Sequence, residues 1–372
     1  MSKRIIILGA TGSIGRSAVD VAKTHPGDFR VVAVSALRSR ERCEVLAHEL
    51  GARAYVGEDA ARRAVEENDA DICLVATVGL SGLAPTVAAI EKGMDVALAT
   101  KEVLVMAGEL VTALARARGV RLLPVDSEHS AIFQCLSTAF DGNRQQSNAS
   151  DGDRARSATI DRLTLTASGG PFLDGPADLS TVTVAEALNH PRWNMGPKVT
   201  IDSSTMMNKG FEILEARWLF DVPAERIDVV VHPESIVHSL VTFTDGSTLA
   251  QLCPPDMRVP IQYALSWPDR LPADRARLDL ASLGRLTFRQ ADPGRFPCLG
   301  LVRAAGAAGG GQTAVLAAAD EWAVKAFVEG RIGFTDIART VERALAAAPR
   351  FELSAIEAVY EASDWTWKFL SR

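Results

Sequence analysis

Two short stretches carry carboxylates at spacings that could grip a cation. Asp126-Ser127-Glu128-His129 follows the apolar run Leu122-Leu123-Pro124-Val125, at the kind of strand end where α/β sheets bind ligands. In an extended segment residues i and i+2 point the same way, so Asp126 and Glu128 would converge. Two carboxylates held together need a cation or a proton between them, and oxygen donors favour magnesium or manganese. The alternative is a helix cap with solvated acids. The second stretch, Asp202-Ser203-Ser204-Thr205-Met206-Met207-Asn208-Lys209-Gly210-Phe211-Glu212, shifts the weight to the metal. It predicts a helix from about Thr205 to Phe220, with Ser203 or Ser204 as its N-cap. Asn208 and Glu212 then stand i,i+4 and Lys209 and Glu212 i,i+3, on neighbouring faces. One helical turn would present Ser203, Asn208 and Lys209 as a phosphate grip about 6 Å from a third carboxylate, at about 1.5 Å per residue. That suits a small sugar phosphate whose other end sits on a metal. The competing reading is an i,i+3 surface salt bridge.

A nucleotide signal lies near the N-terminus. Gly9-Ala10-Thr11-Gly12-Ser13-Ile14-Gly15 follows a strand and opens a helix, where glycines let backbone approach a pyrophosphate and the helix end supplies N–H groups. The spacing is GxxGxxG rather than GxGxxG, so a tight turn without ligand stays open. After the second strand comes Ala36-Leu37-Arg38-Ser39-Arg40, with cations where an NAD site places an acid. Arginine pairs with a 2′-phosphate, which favours NADPH over NADH. Ser168-Gly169-Gly170-Pro171 reads as a second phosphate cradle or a plain strand-ending turn. Residues 187–197, a Pro/Gly-bounded loop that carries His190 and Trp193, could close over a ligand and exclude water, unless Trp193 only packs in the core. His232 and His238 read as satisfied core histidines, with His232-Pro233 the more suspicious.

The elements that must position these residues follow two patterns. Ile5–Leu8, Val31–Ser35, Ile72–Ala76, Val96–Ala99 and Leu122–Val125 are apolar runs alternating with helical stretches such as Ser13–Thr24 and Arg40–Leu50. Such runs predict an α/β, doubly wound, Rossmann-like parallel sheet covered on both faces. Next, 141–157 lacks any aromatic or large aliphatic residue and predicts a solvated loop. Leu163–Thr166, Val199–Ile201 and Val229–Val231 predict strands, and Val237–Cys253 a hairpin turning at Asp245-Gly246. This is an α+β part whose sheet is helix-covered or used for dimerisation. Past Pro297 an alanine-rich stretch predicts three or four bundled helices. The expected division is 1–126 for the cofactor, 127–270 for catalysis and dimerisation, 271–296 as linker, and 297–372 as helical bundle.

Composition bounds the partners. At 372 residues the chain should form two to three domains of ~150. The 40 basic and 46 acidic residues leave a net charge of -6, which argues against nucleic acid or an anionic membrane surface. Five cysteines without a CxxC pair suggest neither a disulfide framework nor structural zinc. No apolar run reaches the ~18 residues of a spanning helix, and the opening residues run straight into a strand pattern without a signal peptide. The expectation is a cytoplasmic protein.

The motifs together resemble the 1-deoxy-D-xylulose 5-phosphate reductoisomerase family. The matching segments are GATGSIG, the KE of ATKE, PVDSEHSAIFQ, TASGGPF, NHPRWNMGPKVTIDSSTMMNKGFEILEARWLF, VVVHPESIVHS, AQLCPPDMRVPI and FPCL, with a weaker echo in LAAADEWAVKAF. The resemblance implies an NADPH-dependent oxidoreductase that also needs Mn²⁺ or Mg²⁺ and forms 2-C-methyl-D-erythritol 4-phosphate, usually as a homodimer. It places Asp126, Glu128 and Glu212 on the metal, and Ser127 and Lys101 at the substrate's reacting end. It gives Ser168, Ser203, Asn208 and Lys209 the phosphate, and His190 and Trp193 a mobile lid over the substrate. Thr11, Gly12, Ser13 and Ile14 would hold the pyrophosphate and Arg38 the 2′-phosphate, with Leu37, Ser39, Thr100, Glu102 and Gly196 along the cofactor. The chain departs from the family pattern at Leu37, Arg38 and Ser39, where Gly, Lys and Asn are usual, and at Thr100 and Asp320, where Asn is usual.

Overall fold

A computed structural model describes residues 2–139, 158–193 and 195–372. The polar stretch 141–157 and Asn194 of the expected lid lie outside the described residues. By contact the described chain forms two compact units, one of residues 2–103, 111–139 and 256–277, the other of 104–110, 158–255 without Asn194, and 278–372. That division differs from the expected one: 127–139 and 256–277 go with the cofactor-binding elements, and the helical tail goes with the second sheet.

In the first unit strands and helices alternate as β1 (Lys3–Leu8), α1 (Ser13–Thr24), β2 (Phe29–Ala36), α2 (Arg40–Leu50), β3 (Arg53–Val56), α3 (Ala60–Glu66), β4 (Ile72–Val75), α4 (Leu83–Glu91), β5 (Asp95–Leu98), α5 (Glu102–Arg118, whose stretch Leu104–Leu110 groups with the second unit), β6 (Leu122–Pro124) and α6 (Ser127–Ala139). The six strands are all parallel in the order β3-β2-β1-β4-β5-β6. Ile5 to Leu8 have no exposed surface, as a strand covered on both faces requires. The order reverses between β1 and β4, the switch point at which such sheets open a ligand crevice beyond the strand ends. A distant helix, Arg258–Ser266, completes this unit. Ile261 and Leu265 enter the same core as Ile5, Val19 and Val34, and Lys3 Nζ donates to the carbonyls of Leu265 and Trp267 at 3.1 and 2.7 Å.

The second unit opens with β7 (Ile160–Ala167), α7 (Val184–Leu188), α8 (Pro197–Thr205) and α9 (Met207–Phe220). It continues with β8 (Ile227–Val231), β9 (Val237–Phe243) and β10 (Thr248–Leu252). After α10, the Arg258–Ser266 helix of the first unit, come α11 (Leu280–Leu283), β11 (Arg289–Gln290), α12 (Cys298–Ala308), α13 (Gln312–Val328), α14 (Asp336–Ala347) and α15 (Ile356–Leu370). Its sheet runs β10-β9-β7-β8-β11, with β7 and β8 parallel and the other pairs antiparallel. The β9–β10 hairpin turns at Asp245-Gly246 as expected, with Gly246 at φ +84 and Asp245 accepting from the Ser247 N–H. Within 271–296, expected as a linker, α11 forms and β11 adds an edge strand.

One expected strand is a helix. Val199-Thr200-Ile201 lies inside α8, because Pro197 at the first turn is pre-set for helix and Ile201 turns fully into the core. The single helix expected from Thr205 is two, α8 and α9, broken at Met206 in the left-handed region, φ +62. Ser203 and Ser204 are therefore not N-caps. They sit in the last turns of α8, where their hydroxyls donate back to the carbonyls of Val199 and Ile201. Glycines let α9 meet α12 closely: a Cβ on Gly210 would lie 2.5 Å from Val302 Cγ2, and one on Gly306 2.5 Å from Leu214 Cδ2. Among the described residues no helix is long and apolar enough to cross a membrane.

Candidate active site

The β1–α1 turn is built for close backbone approach. Gly9 takes φ +76, and a Cβ there would lie 2.3 Å from the Ala76 carbonyl oxygen just past β4. A Cβ on Gly15 would lie 2.2 Å from the Gly9 oxygen, so α1 seats directly on the turn. Gly12 is the N-cap and offers no side chain to the first turn, leaving that end suited to an anion. Beyond β2, Leu37 is 57% exposed and Arg38 is exposed, while Ser39 caps α2 without a side-chain bond. Thr100 is buried and donates its hydroxyl to the Thr77 carbonyl, and Glu102 begins α5.

Asp126 and Glu128 are neighbours for a reason other than strand alternation. Helix α6 begins at Ser127, so the extended segment expected here does not exist. Asp126 caps the helix: its carbonyl accepts from Ser130 N at 2.8 Å and its Oδ1 from Glu128 N at 3.3 Å. Its Oδ2 meets Lys101 Nζ at 2.5 Å, and the buried His129 lies 3.6 Å from Oδ1. Capping and the Lys101 pair thus use different oxygens of one carboxylate. Burial opposes the charge on Asp126, but Lys101 and then His129 outweigh it and hold the carboxyl well below the usual carboxylate range. Glu128 accepts from the Ser127 hydroxyl at 2.6 Å.

In the second unit α9 orients Glu212 from one side. Asn208 Nδ2 donates to Oε1 at 2.6 Å, and Lys209 pairs with Oε2, the i,i+4 and i,i+3 contacts that the spacing predicts. Glu212 is 1% and Lys209 5% exposed, so this is no surface salt bridge. Ser203 belongs to α8, on the other side of the Met206 break, so the residues expected to grip a phosphate are spread over two helices rather than one turn. The Ser168 turn abuts it: a Cβ on Gly170 would lie 2.9 Å from the Ser203 carbonyl oxygen. Ser168 Oγ bonds His190 Nε2 at 3.0 Å and accepts from Gly170 N at 3.2 Å.

His190 and Trp193, expected as lid residues, lie between α7 and α8. The Trp193 ring is 6.3 Å from that of His238, and Arg192 Nε donates to the Pro233 carbonyl at 3.0 Å. Gly196 caps α8. His232 is fully buried and satisfied: Nε2 accepts from the N–H groups of Ile236 and Val237, and Nδ1 donates to the Thr287 carbonyl.

Sequence reasoning missed one cluster. Lys198 on α8 pairs with Asp202 and with Asp320 of α13, and its ammonium lies 4.7 Å from the centre of the Phe211 ring. The i,i+4 spacing of Lys198 and Asp202 was a visible signal; nothing local points to Asp320.

Residues 5–56 and 40–108 match the family model described as 1-deoxy-D-xylulose 5-phosphate reductoisomerase. Residues 122–220 match the model of that enzyme's C-terminal domain, and 252–369 a DXP reductoisomerase C-terminal domain. The chain is 46% identical over 389 residues to the 1-deoxy-D-xylulose 5-phosphate reductoisomerase of Geobacter metallireducens, covering 98% of this chain and 97% of that one. It is 50% identical over 367 residues to that of Geobacillus kaustophilus, covering 92% of each. A solved DOX-P reductoisomerase in complex with NADPH, fosmidomycin and magnesium superposes with a TM-score of 0.91 at 38% identity, over 99% of this chain and 97% of that one. The Zymomonas mobilis enzyme in complex with NADPH gives 0.88 at 37%, over 100% and 98%. With near-complete coverage at such identity, the chain belongs to the 1-deoxy-D-xylulose 5-phosphate reductoisomerase family.

Proposed function

We propose that this chain carries out the NADPH- and divalent-metal-dependent rearrangement and reduction of 1-deoxy-D-xylulose 5-phosphate to 2-C-methyl-D-erythritol 4-phosphate. The observation that carries the proposal is the buried Glu212, with Asn208 on one oxygen and Lys209 on the other. An acid so placed is held and aimed from both oxygens, as a hard-cation ligand must be.

The donor set suits magnesium or manganese: Asp126, Glu128 and Glu212 offer only carboxylate oxygens, and we assign all three as metal ligands. The β1–α1 turn suits a pyrophosphate because Gly9 and Gly15 leave no room for a Cβ. We assign Thr11, Gly12, Ser13 and Ile14 to it, Arg38 to the 2′-phosphate, and Leu37, Ser39, Thr100, Glu102 and Gly196 to the rest of the cofactor. When bound, the metal would polarise the substrate's carbonyl and NADPH would supply hydride.

The chain's own groups orient and shield. Lys101 and Ser127 take the reacting end of the substrate. Ser168, Ser203, Asn208 and Lys209 grip the phosphate, at a distance from the chemistry, and so supply binding energy that orients the reacting carbons. The His190–Trp193 lid keeps water from the site. We take the working form to be a cytoplasmic homodimer. Its five cysteines are all free thiols, which suits a reducing compartment, and light scattering after size exclusion reads the dimer.

The test follows NADPH absorbance with 1-deoxy-D-xylulose 5-phosphate, with and without Mg²⁺ or Mn²⁺. Oxidation only when substrate and metal are both present is expected; metal-independent oxidation, or none under any condition, overturns the proposal.

A further inference from the structure

Ser168 and His190 are bonded to each other, and the far side of the imidazole decides which of them donates. His190 Nδ1 faces two backbone N–H groups, Arg192 at 3.2 Å and Trp193 at 2.9 Å. A nitrogen that accepts from both cannot hold a proton in that direction, so the hydrogen of the neutral ring is on Nε2. Nε2 therefore donates to Ser168 Oγ across their 3.0 Å contact. The Gly170 N–H, brought round by Gly169 at φ +86, donates to the same oxygen at 3.2 Å. A hydroxyl oxygen has two lone pairs, and both are now used; what Ser168 has left to give is its proton. Burial pushes His190 down to about 4, so the ring is neutral near pH 7.

We infer that His190 is a positioning residue that makes Ser168 an obligate hydrogen-bond donor, aimed at an acceptor-only ligand group such as a phosphate-ester oxygen. The inference deepens the proposed function and rests on its assignment of Ser168 to the phosphate. A serine free to rotate could accept from a sugar hydroxyl as readily as donate to a phosphate. Ser168 with both lone pairs occupied cannot, so the pair selects for the anion. The same ring also organises the backbone at Arg192 and Trp193, so the order of the lid and the direction of the Ser168 proton are set by one group.

Two near-isosteric variants separate the ring's two edges. His190→Asn keeps an amide oxygen near the Nδ1 position for the two N–H groups but is too short to reach Ser168. His190→Gln keeps an N–H near the Nε2 position. Expected for turnover of 1-deoxy-D-xylulose 5-phosphate is a KM raised about tenfold in His190→Asn, as for one hydrogen bond to a charged group, with a smaller change in kcat. His190→Gln should recover part of that KM. In a Ser168→Ala background His190→Asn should change KM by less than about twofold, because coupled residues are not additive; a full tenfold effect there overturns the inference. The tautomer is read separately, by proton–nitrogen correlation spectra of histidine-labelled protein without substrate. A protonated Nε2 and bare Nδ1 are expected, and the opposite assignment overturns the inference. If wild-type protein turned over no substrate the proposed function would fall, while the tautomer would still decide this point.

Discussion

Asn208 and Lys209 each commit a bond to Glu212, whose carboxylate is inside the protein. Glu212→Gln retains the shape and one amide partner but removes the charge that Lys209 balances and that a divalent cation needs. Turnover should fall by more than about a hundredfold, while NADPH binding followed by fluorescence stays as in the wild type. Normal turnover in the variant would remove Glu212 from the metal site. His190 carries a second residue-scale expectation. Its pKa is lowered from an ordinary 6.5 to about 4 by burial, so the unfolded or opened state binds the proton more tightly than the closed one. The ring's contribution to stability is complete above about pH 6.5 and is lost as the pH falls towards 4. Amide protection at Arg192 and Trp193 should decline over that interval in the wild type and stay level in His190→Asn.

At the scale of elements the β1–α1 junction makes the sharpest demand. A Cβ on Gly15 meets backbone, the Gly9 oxygen at 2.2 Å and Ala10 Cα at 2.5 Å, and backbone cannot step aside. Gly15→Ala should cost about 1–3 kcal/mol in thermal unfolding and weaken NADPH binding, whereas Gly27→Ala, with nothing within 4 Å, should do neither. This junction was legible in the sequence, because the glycines and the helix they open lie side by side; α1 and α2 fall at Ser13–Thr24 and Arg40–Leu50, as their patterns predict. Where neighbours compete, local reading failed. Val199-Thr200-Ile201 has strand-like branching, but Pro197 before it and the burial of Ile201 make it helix. Asp126 and Glu128 were recognisable as a pair, though it is a helix start and not a strand that unites them. The Asn208–Glu212 spacing carried over intact. The Lys198–Asp320 pair was invisible, since only the packing of α13 against α8 brings it about.

The whole molecule is less modular than its motif order suggests. The cofactor-binding core includes Ile261 and Leu265 from α10, which follows the second sheet in the chain. Ile261 has no exposed surface, so Ile261→Ala should cost about 2–5 kcal/mol. That loss should show in the protection of β1 amides against hydrogen exchange, although β1 and Ile261 lie at opposite ends of the unit's sequence. If β1 protection were unchanged, α10 would not be part of that cooperative unit. The interleaving also bears on biosynthesis. At roughly 5–20 residues per second, on the order of ten seconds pass between the synthesis of α6 and that of α10. Throughout that interval the nascent cofactor-binding unit holds a parallel sheet whose last covering helix does not yet exist. The apolar faces of α1 and α6 are then open to chaperones and proteases, and protection arrives only when the ribosome has passed the hairpin of the other unit.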